Sequence, residues 1–139
     1  MYPEEIVMPM KEELTDNGFQ ELLTSTEVES QLAKEGTTLV MINSVCGCSA
    51  GTARPGVLMA VANAGEHKPD YLATTFAGFD IEAVRKLREH LLPYPPSSPS
   101  IALFKNGQLV HFIERHQIEG RPAPIIAQNL IGAFEQYCN

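Results

Sequence analysis

Apolar positions along this chain alternate between helical and strand spacing, and the switches divide it into elements. Between Tyr2 and Asn17, Ile6, Met10 and Leu14 recur every fourth residue. That spacing predicts an N-terminal helix with this stripe buried, Pro9 as a point of kinking and Gly18 as a left-handed stop. Thr24, followed three residues later by Glu27, predicts a capped second helix that buries Val28 and Leu32 and ends by Gly36. The β-branched and apolar run from Thr37 to Asn43 predicts a strand covered on both faces, which delivers the chain directly to Cys46.

Ser49 to Asn63 is Ala-rich, with Leu58, Met59 and Val61, and predicts a helix that Gly51, Pro55 and Gly56 kink or delay. A turn over His67 to Asp70 leads to a strand from Tyr71 to Ala77. Asp80 then caps a helix that turns Ile81, Val84, Leu87 and Leu91 inward and leaves Arg85, Lys86, Arg88 and Glu89 in solvent. The prolines from Pro93 to Pro99 remove amide donors and exclude both helix and central strand, leaving a rigid loop. Ser100 to Lys105 and Gln108 to Glu114, joined by Asn106-Gly107, predict an antiparallel hairpin. Pro122 and Pro124 suit the first turn of a closing helix whose inner face carries Ile126, Leu130, Ala133, Phe134 and Tyr137. The order is helix, helix, strand, helix, strand, helix, strand, strand, helix. It predicts an α/β fold in which helices flank a central mixed sheet built from parallel crossovers first and one hairpin last.

The 139 residues fit one domain spanning 1–139, and 44% hydrophobic against 19% charged residues is the balance of a chain with a real core. Ten basic and seventeen acidic side chains leave a net charge of −7, which repels phosphate backbones and anionic lipid alike, so neither nucleic acid nor membrane is expected as a partner. The longest apolar runs, such as Leu39 to Ile42, fall far short of the roughly 20 residues of a membrane span. Glu4, Glu5, Glu12 and Glu13 stand where a secretory signal needs a basic end and an apolar run, so the expected compartment is the cytoplasm.

Three cysteines do not make a disulfide framework, but two of them, Cys46 and Cys48, are separated only by Gly47. Cys46 falls where a strand gives way to a helix, at the edge of the sheet where ligand sites collect, and a helix N-terminus favours the thiolate. A second sulfur two positions on can attack any mixed disulfide formed at Cys46, so proximity replaces a bimolecular encounter. Cys46 is therefore the expected nucleophile and Cys48 the resolving thiol. Their internal disulfide closes a small ring around Gly47, the residue that best tolerates such a turn, and the strain makes the pair oxidising. Buried structural cysteines are the bland alternative. A zinc or iron–sulfur site is another, but His67, His90, His111 and His116 are not paired at ligand spacing, and no metal ligand is assigned. Arg54 either lowers a thiol pKa by its charge or faces solvent, and His116 is read as structural. Cys138 lies at the end of the last helix, with no role assigned.

The stretch Asn43-Ser44-Val45-Cys46-Gly47-Cys48-Ser49-Ala50-Gly51, followed by Ala53-Arg54-Pro55, resembles the signature of the bacilliredoxins, thioredoxin-like bacterial proteins with a Cys-Gly-Cys active site. The resemblance continues through Thr75-Phe76-Ala77-Gly78, Pro96-Ser97-Ser98-Pro99-Ser100 and Arg115-His116-Gln117-Ile118-Glu119-Gly120, and covers nearly all of the chain. It implies a thioredoxin-like fold with an extra N-terminal helix and no bound cofactor. It also implies that Cys46 takes bacillithiol, a small thiol, from S-thiolated cytoplasmic proteins, and that Cys48 or a second bacillithiol clears the adduct. Bacillithiol is then the redox co-substrate, recharged by its reductase system, and disulfide isomerisation by the same pair is the alternative activity. The fold further implies a cis-proline loop beside the thiols. Pro99 is the matching position, so a cis Ser98-Pro99 bond is expected, with Gly47, Ser98 and Pro99 as substrate-binding residues. A potential above thioredoxin's, about −270 mV, follows from the ring strain.

Overall fold

The computed structural model describes all residues from Met1 to Asn139. Along the chain come α1 (Glu4–Thr15), β1 (Gln20–Glu21), α2 (Ser25–Leu32), β2 (Thr37–Asn43), α3 (Arg54–Ala62), β3 (Tyr71–Phe76), α4 (Ile81–Glu89), β4 (Ser100–Lys105), β5 (Gln108–Ile113), α5 (Arg115–Ile118) and α6 (Ala123–Tyr137). The five strands form one sheet in the order β1-β3-β2-β4-β5, with β1, β3 and β2 parallel and β4 and β5 antiparallel to their neighbours.

All seven residues of β2 are buried because both faces of the sheet are covered. The strand period divides them: Leu39 and Met41 enter a core shared with α3 and α6, whereas Val40 and Ile42 enter one shared with α2 and α4. β4 repeats the division, Ile101 and Leu103 facing one layer and Ala102 and Phe104 the other. At Gly56 α3 lies close against α6, where an added Cβ would stand 2.9 Å from the side chain of Ile126. Asn106 and Gly107, both with positive φ, make the predicted tight turn. No helix is long and apolar enough to cross a membrane.

Several expectations need correcting. In α1 the buried face is Val7, Lys11 and Leu14, not the stripe through Ile6 and Met10, and Ile6 is exposed. The stripe is rotated because Lys11, a residue that hydropathy reads as outward, is drawn in by two carboxylates: its Nζ lies 3.0 Å from Asp80 and 2.6 Å from Glu21. Asp80 occupies the N-cap position of α4, yet its carboxylate does not cap. It accepts from Lys11 and from the backbone N–H of Phe76 instead. Ile81 is exposed, and Ala83 joins Val84 and Leu87 on the inner face. β1 and α5 have no counterpart in the predicted order, each being too short to show a period. The Thr24 cap is present, its hydroxyl accepting from Glu27 N–H at 3.1 Å.

Candidate active site

β2 ends at Asn43, and the chain passes through Ser44 and Val45 to Cys46 before coiling into a continuous helical run over residues 47–62. The first part of that run, Ser49–Ala53, is a widened π-turn. Pro55 has no N–H to return to the carbonyl of Gly51, so the ordinary ladder cannot form there and the turn opens. A buried polar cluster braces this junction from beneath. Asn43 Oδ1 accepts from Ser44 N–H at 2.8 Å, from the Ser49 hydroxyl at 3.1 Å and from Arg54 Nη1 at 2.8 Å. Asn43 Nδ2 donates to the carbonyl of Met10 at 3.1 Å, tying α1 to the same point. Arg54 Nη1 also reaches the Ser44 carbonyl at 3.0 Å and Ser49 Oγ at 3.1 Å. Glu13 lies 2.7 Å from Arg54 Nε, neutralising the buried cation, but off the N–H direction, so that N–H has no hydrogen bond of its own.

On this base the two sulfurs occupy different environments. Cys46 is half-buried, and its Sγ accepts the Cys48 backbone N–H at 3.4 Å. Its pKa is held below the usual thiol value, chiefly by a hydrogen bond from the Cys48 thiol. The backbone N–H groups of Cys48 and Ser49 and the positive charge of Arg115 help against the opposing effect of burial. Cys48 packs against the core beneath α3 and α6. Burial, the hydrogen bond it gives to Cys46 and the charge of Cys46 push its pKa up to about 11, with Glu119 adding to the rise and Arg115 opposing it. One sulfur is therefore shifted toward the anion and the other toward keeping its proton, the asymmetry that capture followed by resolution requires.

The antiparallel register brings two more segments to the same edge. Ile42 pairs with Ser100, so the chain enters β4 through Ser98 and Pro99 beside the exit of β2. The Ser98-Pro99 bond is cis, as is Leu92-Pro93, which the sequence did not single out. β5 returns alongside β4 and ends beside this loop, where Arg115 opens α5. Arg115 Nη1 donates to the carbonyl of Ser98 at 3.4 Å, and its backbone N–H to Ser97 Oγ at 3.4 Å. Its guanidinium holds Glu119 Oε1 from Nε at 2.8 Å and from Nη2 at 2.7 Å. A carboxylate oxygen of Glu119 and the sulfurs of Cys46 and Cys48 all lie within 4.8 Å of one another. These three are the donors a cation would find, but the guanidinium on Glu119 and its attraction for the Cys46 anion make the spot suited to negative charge.

Arg115 and Glu119 were read in the sequence only as part of a resemblance, without a role. Their spacing of four along a helix was the available signal. Arg54, by contrast, is neither exposed nor acting on a thiol; it is a buried brace, 2% exposed. Gly47 is exposed, its φ is not positive and an added Cβ would meet nothing within 4 Å, so the glycine's freedom is not used in the dithiol form. His116 is exposed and contributes to no core, contrary to the structural reading. Cys138 is buried beside Thr37, Asp70 and Lys105, at the opposite end of β2 from the thiol pair, about 20 Å away by strand rise. Burial raises its pKa, and it belongs to the core.

The model of a family described as "Disulphide isomerase" matches residues 2–138. A bacilliredoxin of Cytophaga hutchinsonii is 56% identical over 138 residues, covering 98% of this chain and 99% of that protein. A bacilliredoxin of Halalkalibacterium halodurans is 51% identical, covering 99% and 94%. Among solved structures, the thioredoxin of Malassezia sympodialis superposes with a TM-score of 0.59 at 15% identity, over 88% of this chain and 95% of that one. Mitochondrial thioredoxin 3 of Saccharomyces cerevisiae gives 0.57 at 15% identity, over 85% and 94%. At such identities the likeness is one of fold, and the fold is that of thioredoxin.

Proposed function

The chain belongs to the bacilliredoxin family, thiol–disulfide oxidoreductases of thioredoxin fold, and from that premise we propose that it removes bacillithiol from S-thiolated cytoplasmic proteins. The observation that carries the order of events is the contrast between the sulfurs, Cys46 held down toward the anion and Cys48 pushed up to about 11. Cys46 attacks the mixed disulfide and takes the small thiol as its own adduct, and the target protein leaves as thiolate. Cys48 then loses its proton and displaces the small thiol, giving the internal disulfide, which the bacillithiol pool and its reductase return to the dithiol. Ser98, Pro99 and Gly47 border the approach to Cys46, where main-chain groups suit an extended substrate segment of varied sequence. Thiol–disulfide exchange of this kind needs no bound cofactor; bacillithiol enters as co-substrate.

The test is to expose Cys48→Ala to a bacillithiol-capped protein and locate the adduct by mass spectrometry. An adduct on Cys46 and release of the uncapped protein are expected. An adduct on Cys48 or Cys138 in the intact protein, or equal rates with glutathione-capped and bacillithiol-capped targets, would overturn the order or the thiol. Disulfide isomerisation is the second reading, favoured by the description of the matching family. It requires the recovery of a scrambled protein to outpace the uncapping of a thiolated one.

A further inference from the structure

Resolution has a difficulty that capture does not, because the attacking sulfur holds its proton. Capture itself removes part of the obstacle. Once Cys46 carries the small thiol its sulfur is uncharged, so neither its negative charge nor its hydrogen bond retains the proton of Cys48. Burial and the negative charge of Glu119 remain. The charged and titratable groups acting on Cys48 are Cys46 from its own turn and Arg115 and Glu119 from α5 and its exit. Arg54 and Glu13 lie below the junction and are spent on one another and on Asn43.

We propose that Glu119 is the proton acceptor for Cys48 in the resolving step, held for that task by Arg115. This rests on the reading that Cys46 captures and Cys48 resolves. A carboxylate oxygen of Glu119 shares a 4.8 Å neighbourhood with both sulfurs. The hydrogen bond from Arg115 Nε falls on Oε1, and Oε2 accepts none from the arginine. The segment carrying Glu119 is anchored at both ends. Arg115 is fastened to Ser97 and Ser98, and the Thr52 hydroxyl, in the π-turn that follows Cys48, donates to the carbonyl of Arg121 at 2.7 Å. In the step, the Cys48 proton passes to the Glu119 carboxylate and the Cys48 sulfur bonds to that of Cys46. The bond from Cys46 to the captured thiol breaks, and its electron pair leaves with that thiol as thiolate. The transfer removes the charge that opposed ionisation, and Arg115 is left to face the new thiolate.

Proton acceptance and plain electrostatics predict opposite signs. As a charge alone, Glu119 hinders Cys48, so Glu119→Gln would speed resolution; as an acceptor, its loss slows it. Stopped-flow reaction of the reduced protein with 5,5′-dithiobis(2-nitrobenzoate) separates the steps, since capture by Cys46 releases one coloured thiolate and resolution by Cys48 releases the second. Glu119→Gln is expected to slow the second phase by about a hundredfold, within the usual range for positioned acid–base groups, with the first phase within about threefold. The variant's second phase should climb with pH as hydroxide takes over, and Glu119→Asp should restore part of the rate. A second phase that is unchanged or faster in Glu119→Gln overturns the proposal. A second phase that survives Cys48→Ala overturns the capture-and-resolve reading beneath it. Glu119 is exposed, so its replacement leaves the fold in place.

Discussion

Replacing Cys48 by alanine should raise the pKa of Cys46, even though it removes a neighbour rather than a charge. The hydrogen bond from the Cys48 thiol is the largest of the influences holding Cys46 down. Hydrogen bonds to charged groups contribute about 1.5–3 kcal/mol, and a sulfur donor belongs at the weak end of that range. Its loss moves the Cys46 midpoint upward. The backbone amides of Cys48 and Ser49 and the charge of Arg115 persist in the variant. The smaller alanine also admits water, which offsets part of the rise.

The assay is the rate of iodoacetamide alkylation at Cys46 across pH, read by peptide mass spectrometry so that Cys138 is scored separately. Cys48→Ser keeps a donor and should recover most of the wild-type midpoint. A midpoint that stays put or falls in Cys48→Ala would refute the assignment and leave the amides and Arg115 as the source. Linkage follows with a definite sign. A thiolate whose folded pKa lies below its unfolded value stabilises the fold above the unfolded pKa, about 8.5, and that contribution is lost as pH falls through the folded value. In Cys48→Ala this window narrows from below, so trapping experiments with that variant belong at higher pH than for the wild type.

In the wild-type protein Cys48 should resist alkylation until the pH approaches 11, and its raised pKa contributes stability that is whole below the unfolded thiol pKa and is lost as pH rises above it through the folded value of about 11; urea melts of the reduced protein on the alkaline side check the sign. Arg54→Leu should cost about 1–3 kcal/mol, because the buried Asn43 and the Ser44 carbonyl lose a charged donor while the half-exposed Glu13 is left to water, seen as a lower urea midpoint with unchanged slope. Cys138→Ala should leave both exchange phases within about twofold, since the thiol lies about 20 Å along β2 from the reacting pair. The Cys46/Cys48 couple, equilibrated against a thiol buffer, should lie above about −270 mV, because a stabilised Cys46 thiolate favours the reduced form and the small ring disfavours the oxidised one.

Elements with a clear period were legible along the chain. β2 begins and ends where its apolar run does, and the Asn106-Gly107 turn fixes the hairpin. The thiol pair was legible too, because two sulfurs around a glycine at a strand-to-helix junction have few structural uses. Buried charge was not. Lys11 drew no reading and Arg54 read as facing either a thiol or solvent, since hydropathy sees the cation and not the carboxylates that fold up against it from elsewhere in the chain. The place of Arg115 follows from strand register rather than from any period in its own segment. Ile101 pairs with Ile113, and carrying that register two residues beyond the ladder sets Arg115 opposite Pro99. A charged residue at that place faces the loop beside the thiols.

Cys46 and Cys48 sit two positions apart at the opening of one helical run, yet their proton affinities diverge, and the cause is the direction in which each sulfur is turned. Cys46 stands before the run, where the Cys48 N–H points back at its sulfur and the Ser49 N–H, which also bonds the Cys46 carbonyl, adds to the stabilisation of the anion. Cys48 already lies within the run and turns inward against the core that α3 and α6 share. A spacing of two residues carries the second sulfur past the free amides but leaves it near enough to give its hydrogen to the first. Exchanging the roles would require the inner sulfur to be the anion in an apolar setting and the outer one to keep a proton against two amides and a guanidinium. In the proposed mechanism the order of attack thus follows from where the helix begins, and the outlying pair Arg115 and Glu119 acts on that order by setting when the inner proton is released.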